Sequence, residues 1–175
     1  MNDEPDARRA SLLPVRAPVL KVVLIRPEIP GNTGNVGRTC AAAGAELHLV
    51  GPLGFSLSER HLKRAGMDYW EKLAPVVHES LEAFLQKLPR GADVLAFSAE
   101  GARTHWEAPF GKDSWLVFGG ESGGLPPELR ARWKDSLYRV PMVPGMRSLN
   151  LASAAAVAIY EALGPRSHGG VGRLP

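Results

Sequence analysis

Hydrophobic residues along this chain fall into short runs separated by stretches of helical periodicity. Leu20–Ile25, Glu46–Val50, Asp93–Phe97, Trp115–Phe118 and Ser136–Val140 are mostly apolar runs, the pattern of strands buried on both faces of a sheet. A sixth short strand fits Ala74–Val77. Between them, Thr33–Ala43, Glu79–Leu88, Pro127–Trp133 and Leu149–Leu163 read as helices. The alternation predicts an α/β fold, a parallel sheet with helices on both faces.

The last of these helices is unusual. Ser148 is a good N-cap, Gly164 and Pro165 are stop signals, and Leu151–Ile159 is apolar nearly all round. Such a helix needs cover on most sides, and in a small chain a second copy is the simplest source, so a homodimer is expected.

The 175 residues are 45% hydrophobic and 22% charged, enough for one well-buried core. A single domain over residues 19–164 is expected, flanked by flexible tails at residues 1–18, with mixed charges and three prolines, and 165–175, rich in glycine. The formal charge of +3 is compatible with a phosphate-bearing partner but is no polybasic tail. Cys40 stands alone, so the chain can build neither an intrachain disulfide nor a cysteine-based zinc site. No metal is expected, and Cys40 reads as a small core residue. No signal-peptide h-region or membrane-length apolar run is present. A soluble cytoplasmic protein is therefore expected.

Three loops follow expected strands and open towards helices, the position at which open parallel sheets bind ligands. In the first, Arg26–Thr39, Gly31, Gly34 and Gly37 recur every third residue. It matches neither the Rossmann nor the Walker phosphate loop. One reading is a tight turn with Asn32 or Thr33 as helix cap. The other is an anion site, because Arg38 then falls in the first turns of a helix, where the macrodipole disfavours a cation unless a negative ligand compensates.

The second loop, Phe118–Pro126, contains Gly120-Glu121-Ser122-Gly123-Gly124 directly after a strand, the context of a serine hydrolase's nucleophile elbow. That alternative lacks partners. The only Asp and His that follow are Asp135 and His168, and His168 lies in the C-terminal tail. Read instead as a ligand loop, its glycines let backbone approach closely while Glu121 supplies charge. The third loop, Val140–Asn150, sets Met142 and Leu149 beside Ser148 and Asn150, an apolar slot with polar edges of the kind an adenine ring needs.

The order Pro-Glu-Ile-Pro-x-Asn-Thr-Gly-Asn, then Phe-Gly-x-Glu, then Pro-Met-x-x-x-x-Arg-Ser-Leu-Asn-Leu resembles the three motifs of the SPOUT-class RNA 2'-O-methyltransferases. Lys63–Tyr69 resembles a signature of the small branch that modifies the wobble nucleotide of tRNA. The resemblance spans about Val22–Leu163. It implies a C-terminal deep trefoil knot, S-adenosylmethionine as methyl donor, a cytidine or uridine ribose in the tRNA anticodon loop as acceptor, and a site completed across a dimer.

By position, the resemblance assigns cofactor binding to Phe97, Ser98, Gly101, Gly119, Glu121, Val140, Met142, Ser148, Leu149 and Asn150. It assigns the reacting ribose to Asn35 and Arg38, and tRNA contact to Lys63, Arg64, Arg147 and Tyr160. Arg38 stays protonated and so suits alkoxide stabilisation or a phosphate clamp better than base catalysis. The chain departs from the family pattern at Gly31 and Gly120, where relatives carry Pro and where glycine is expected to loosen the loops. Gly123 replaces a common Lys or Arg and removes a phosphate contact. A knotted domain that binds RNA without catalysis is a further alternative, opposed by the joint presence of Asn35, Arg38, Glu121, Ser148 and Asn150.

Overall fold

The computed structural model describes residues 20–56 and 70–164; the expected tails and Lys63 and Arg64 lie outside the described residues. In chain order the elements are β1 (Lys21–Ile25), α1 (Pro30–Ala43), β2 (Glu46–Val50), α2 (Trp70–Leu73), β3 (Val76–His78) and α3 (Leu81–Lys87). There follow β4 (Val94–Phe97), β5 (Arg103–Thr104), a 3₁₀ turn (His105–Glu107), β6 (Trp115–Gly119), α4 (Pro127–Arg132), β7 (Leu137–Arg139) and α5 (Leu151–Leu163).

The seven strands among the described residues form one sheet in the order β3-β2-β1-β6-β4-β7-β5, every pair parallel. From β1 the chain steps outwards through β2 and β3, then crosses back, and β6 inserts between β1 and β4. Ile25 lies opposite Gly119, Phe118 opposite Phe97, and Phe97 opposite Tyr138. The four central strands therefore end almost level, and the loops that leave them share one edge.

Strand alternation divides the core into two layers. Val22, Leu24, Leu47, Leu49, Leu116 and Phe118 face Val36 and Cys40 of α1 and Ala155, Ala158 and Ile159 of α5. Val23, Ile25, Val50, Ala96 and Val117 face Leu81 and Phe84 of α3 and Leu129 of α4. Cys40 is fully buried, and burial pushes its thiol pKa up to about 12, so it packs as a small apolar residue.

Helix boundaries correct the sequence reading in two places. α1 starts at Pro30 rather than Thr33, with Ile29 as an N-cap that forms no side-chain cap bond, so neither Asn32 nor Thr33 is the cap. Proline's fixed φ and missing N–H suit it to the first helical position. Arg38 accordingly sits in the third turn, beyond the reach of the N-terminal dipole, and is no first-turn cation in need of a compensating anion. α5 is capped not by Ser148 but by Asn150, whose Oδ1 accepts from Ala152 N at 2.9 Å and Ser153 N at 3.3 Å. α2 and the two-residue β5 have no counterpart in the hydrophobic pattern.

α5 packs one face against α1 and the sheet, and leaves Val157 and Tyr160 exposed on the other. No described helix is long and apolar enough to cross a membrane.

Candidate active site

The loops leaving β1, β4, β6 and β7 enclose a cleft of about 640 Å³ at the carboxyl ends of the strands, within the usual range for a small-molecule site of about 300–1,000 Å³. Its apolar lining comes from Phe97, Phe118, Leu125, Val140, Met142, Leu149 and Leu151, and its polar lining includes Ser98, Glu121, Ser148 and Asn150. Phe97 and Phe118 stack with ring centroids 4.8 Å apart and form a flat, rigid floor.

Two carboxylates lock the first loop to the second. Glu121, just after β6, accepts from the backbone N–H of Glu28 at 2.8 Å and of Ile29 at 3.2 Å, and from Asn32 Nδ2 at 2.9 Å. It thus places negative charge at the N-terminus of α1, where the macrodipole favours it. Glu28 replies from the first loop: its carboxylate accepts from Ser122 N at 3.1 Å and from the Ser122 hydroxyl at 2.5 Å. The Ser122 hydroxyl bond holds the Glu28 carboxyl below its ordinary pKa.

Asn32 extends this latch to the third loop. Its Oδ1 accepts from Asn150 Nδ2 at 2.9 Å while its Nδ2 serves Glu121. A buried amide thus ties the second loop, α1 and the N-cap of α5 into one hydrogen-bonded line.

Glycines bring the backbones of these loops together. A Cβ on Gly119 would stand 1.9 Å from the carbonyl carbon of Gly124, and one on Gly101 would stand 2.4 Å from that of Tyr138. Gly120 does not loosen its loop: a Cβ there would stand 2.5 Å from the carbonyl oxygen of Arg26, and Arg26 itself adopts a left-handed φ of 49°. Gly31, inside the first turn of α1, has none of the described residues within 4 Å of where a Cβ would stand, its chain neighbours and its own helix backbone aside.

Nine of the ten residues assigned to the cofactor line the cleft: Phe97, Ser98, Gly119, Glu121, Val140, Met142, Ser148, Leu149 and Asn150. Gly101 lies behind it as the packing partner of β7, its carbonyl accepting from Arg139 Nη1 at 2.7 Å. Arg147 also lines the cleft. Asn35 and Arg38 do not. Each three-residue step along α1 rotates the side chain by about −60°, so Asn32 faces the cleft while Asn35 and Arg38 turn towards solvent and are exposed. Tyr160 is exposed on α5. Glu28 escaped the sequence reading and Asn32 entered it only as a helix cap, because only the adjacency of β1 and β6 brings their loops against Glu121 and Ser122.

Ser122 does not have the surroundings of a hydrolase nucleophile. Its hydroxyl donates to a carboxylate, its φ is not positive, and among the described residues no histidine lines the cleft.

The SpoU rRNA Methylase family matches residues 19–160. The chain belongs to that family. This SpoU-family chain is 47% identical over 142 residues to a tRNA (cytidine(34)-2'-O)-methyltransferase of Methylovorus glucosotrophus, covering 81% of this chain and 92% of the relative. It shares 51% identity with a structure solved for insights into 2-OH methylation of C/U34 on tRNA, with a TM-score of 0.79 and coverage of 89% and 95% of the two chains. The SpoU methyltransferase AviRb from Streptomyces viridochromogenes, solved in complex with S-adenosylmethionine, matches with a TM-score of 0.74 at 26% identity, covering 86% of this chain and 59% of that one.

Proposed function

We propose that this SpoU-family enzyme transfers the methyl group of S-adenosylmethionine to the ribose 2'-hydroxyl of nucleotide 34, a cytidine or uridine, in the anticodon loop of tRNA. The observation that carries the proposal is the cleft itself. Three motif-bearing loops converge on it in a chain 45–51% identical to proteins named for that reaction.

The cleft fits the proposed methyl donor in size and chemistry. The Phe97–Phe118 floor and the Met142 and Leu149 walls suit a purine, and Ser98, Ser148 and the Gly119–Gly120 backbone suit its ribose and amino-acid tail. When bound, S-adenosylmethionine supplies a methyl group made electrophilic by the sulfonium, so most of the protein's contribution is alignment. The Glu121–Asn32–Asn150 line holds the three loops in fixed relation, the rigidity that such alignment requires. Gly101 and Gly119 permit the close backbone contacts that shape the cleft. The role proposed for Arg38, with Asn35 beside it, is to stabilise the developing ribose alkoxide or to clamp the neighbouring phosphate. Arg147, Tyr160, Lys63 and Arg64 are the remaining candidates for tRNA contact.

A homodimer is part of the same proposal. Val157 and Tyr160 on α5 and Met146 in the loop before it are large hydrophobic residues left exposed, which supports an interface there. Asn35 and Arg38 stand outside their own protomer's cleft, which supports a site completed by the second copy. The knotted threading of the β6–α5 region is part of the proposal and rests on family resemblance. Similarity to relatives named tRNA methyltransferases supports a cytoplasmic location.

Calorimetry with S-adenosylmethionine tests the reading. Micromolar binding that weakens in Asn150→Ala is expected. Absence of binding, with labelling of Ser122 by a fluorophosphonate, would favour the hydrolase instead.

A further inference from the structure

Arg130 and Glu100 form an ion pair on the rim of the cleft that the latch between the loops does not use. Arg130 projects from α4, and its Nη1 donates to a Glu100 carboxylate oxygen in the β4–β5 loop. Both residues line the cleft. The Glu100 side chain is 68% exposed and that of Arg130 26%, so the pair lies at the solvent side of the apolar floor, where Phe118 is only 2% exposed.

An ion pair in such a position is screened and exchanges readily for a better anion. The other carboxylate in the lining, Glu121, is already committed to Glu28 N, Ile29 N and Asn32. Among the described residues that line the cleft, the cations are Arg130 and Arg147. Gly123, on the same cleft, is exposed and among the described residues has nothing beyond its chain neighbours within 4 Å of where a Cβ would stand, which leaves room for a ligand strand. A guanidinium matches a phosphodiester with two parallel hydrogen bonds, a geometry that a lysine lacks.

We infer that Arg130 binds a backbone phosphate of the tRNA strand crossing the cleft mouth, and that Glu100 is the internal anion displaced when it does so. The inference rests on the methyl-transfer reading of the cleft. It makes Glu100 a competitor of the substrate, so removing the two partners has opposite effects. An ion pair that merely holds the β4–β5 loop to α4 loses the same contact whichever partner is removed.

Binding of tRNA to Arg130→Ala, Arg130→Lys and Glu100→Gln, measured at several salt concentrations alongside calorimetry with S-adenosylmethionine, separates the cases. Expected for Arg130→Ala is a tRNA affinity roughly tenfold weaker and a log–log salt slope smaller by about one ion. Arg130→Lys keeps the slope, Glu100→Gln binds tRNA more tightly than wild type, and cofactor affinity is the same in all four proteins. Weaker tRNA binding in both Arg130→Ala and Glu100→Gln would overturn the inference in favour of a structural pair. Loss of cofactor affinity in Arg130→Ala with tRNA binding intact would overturn it in favour of a cofactor contact. Wild-type protein that binds neither ligand would overturn the methyl-transfer reading and this inference together, whereas an active wild type with unchanged Arg130→Ala would overturn the inference alone.

Discussion

Replacing Asn32 by alanine removes the middle of the line that joins the three loops. Two hydrogen bonds go with it, one from Asn32 Nδ2 to the Glu121 carboxylate and one from Asn150 Nδ2 to Asn32 Oδ1, both 2.9 Å long. A bond to a charged group is worth about 1.5–3 kcal/mol and a neutral one about 1 kcal/mol, giving a gross loss of about 2.5–4 kcal/mol. Alanine's better helix propensity returns about 0.5 kcal/mol, leaving a net loss of about 2–3.5 kcal/mol. With a urea slope of about 2 kcal/mol per molar, the unfolding midpoint falls by about 1–1.75 M. Asn32→Asp sets a second carboxylate against Glu121, so the pKa of the introduced group rises on folding. Its penalty is greatest above that raised pKa and shrinks as acidification protonates the introduced group. Urea unfolding followed by circular dichroism at neutral and acidic pH reads both effects, with calorimetry of S-adenosylmethionine on the folded variants. A midpoint shift below about 0.25 M for Asn32→Ala, together with undiminished cofactor affinity, would refute the assigned role of Asn32.

Further expectations follow from other parts of the molecule. Gly119→Ala forces a Cβ to within 1.9 Å of the Gly124 backbone, so the β6–α4 loop must move; retained wild-type stability and cofactor affinity would contradict the close approach. If the site is shared between protomers, mixing Arg38→Ala with Asn150→Ala after unfolding and refolding restores up to about one quarter of wild-type methyl transfer, since half the dimers carry one intact site; no recovery would place both residues in the same protomer's site. His48 and His78 are buried and hydrogen-bonded at 3.0 Å. Burial lowers the pKa of both, reinforced for His48 by His78 and Lys21 and opposed by Glu46, and reinforced for His78 by Lys87. Because the unfolded imidazoles take up protons first, stability present above the ordinary value of 6.5 is lost as pH falls below it towards the folded values. His78→Phe removes one titrating group and flattens that slope by up to about 1.4 kcal/mol per pH unit; an unchanged slope of stability against pH would exclude His78.

The sheet was legible because its central strands, Val22–Ile25, Leu47–Val50 and Leu116–Phe118, are buried on both faces and must be apolar throughout. β5 was not, since Arg103 and Thr104 carry no hydrophobic signal and the strand pairs with β7 at two register positions. The start of α1 was obscured by its glycines; Pro30 was the available sign, as a residue preorganised for the first helical turn. The slot formed by Met142, Leu149, Ser148 and Asn150 was legible from residue chemistry in the third loop, whereas the assignment of Phe97, Ser98 and Val140 to the same cleft came from motif resemblance. Strand order is a different kind of information. Glu28 and Ser122 lie 94 positions apart, and nothing local says that β6 inserts beside β1 and sets their loops face to face. Asn32 and Asn35 look equivalent along the chain and differ only in the face of α1 they occupy.

Whether the cleft is a methyl-transfer site for tRNA is decided by locating the product. Purified protein is incubated with unmodified tRNA and S-adenosylmethionine carrying a labelled methyl group, and the tRNA is digested and read by mass spectrometry. The label is expected on the ribose 2'-oxygen of nucleotide 34, and to be absent with Asn150→Ala. Label on a base, on another nucleotide, or on no RNA at all, from protein shown by calorimetry to bind the donor, would contradict the proposed reaction.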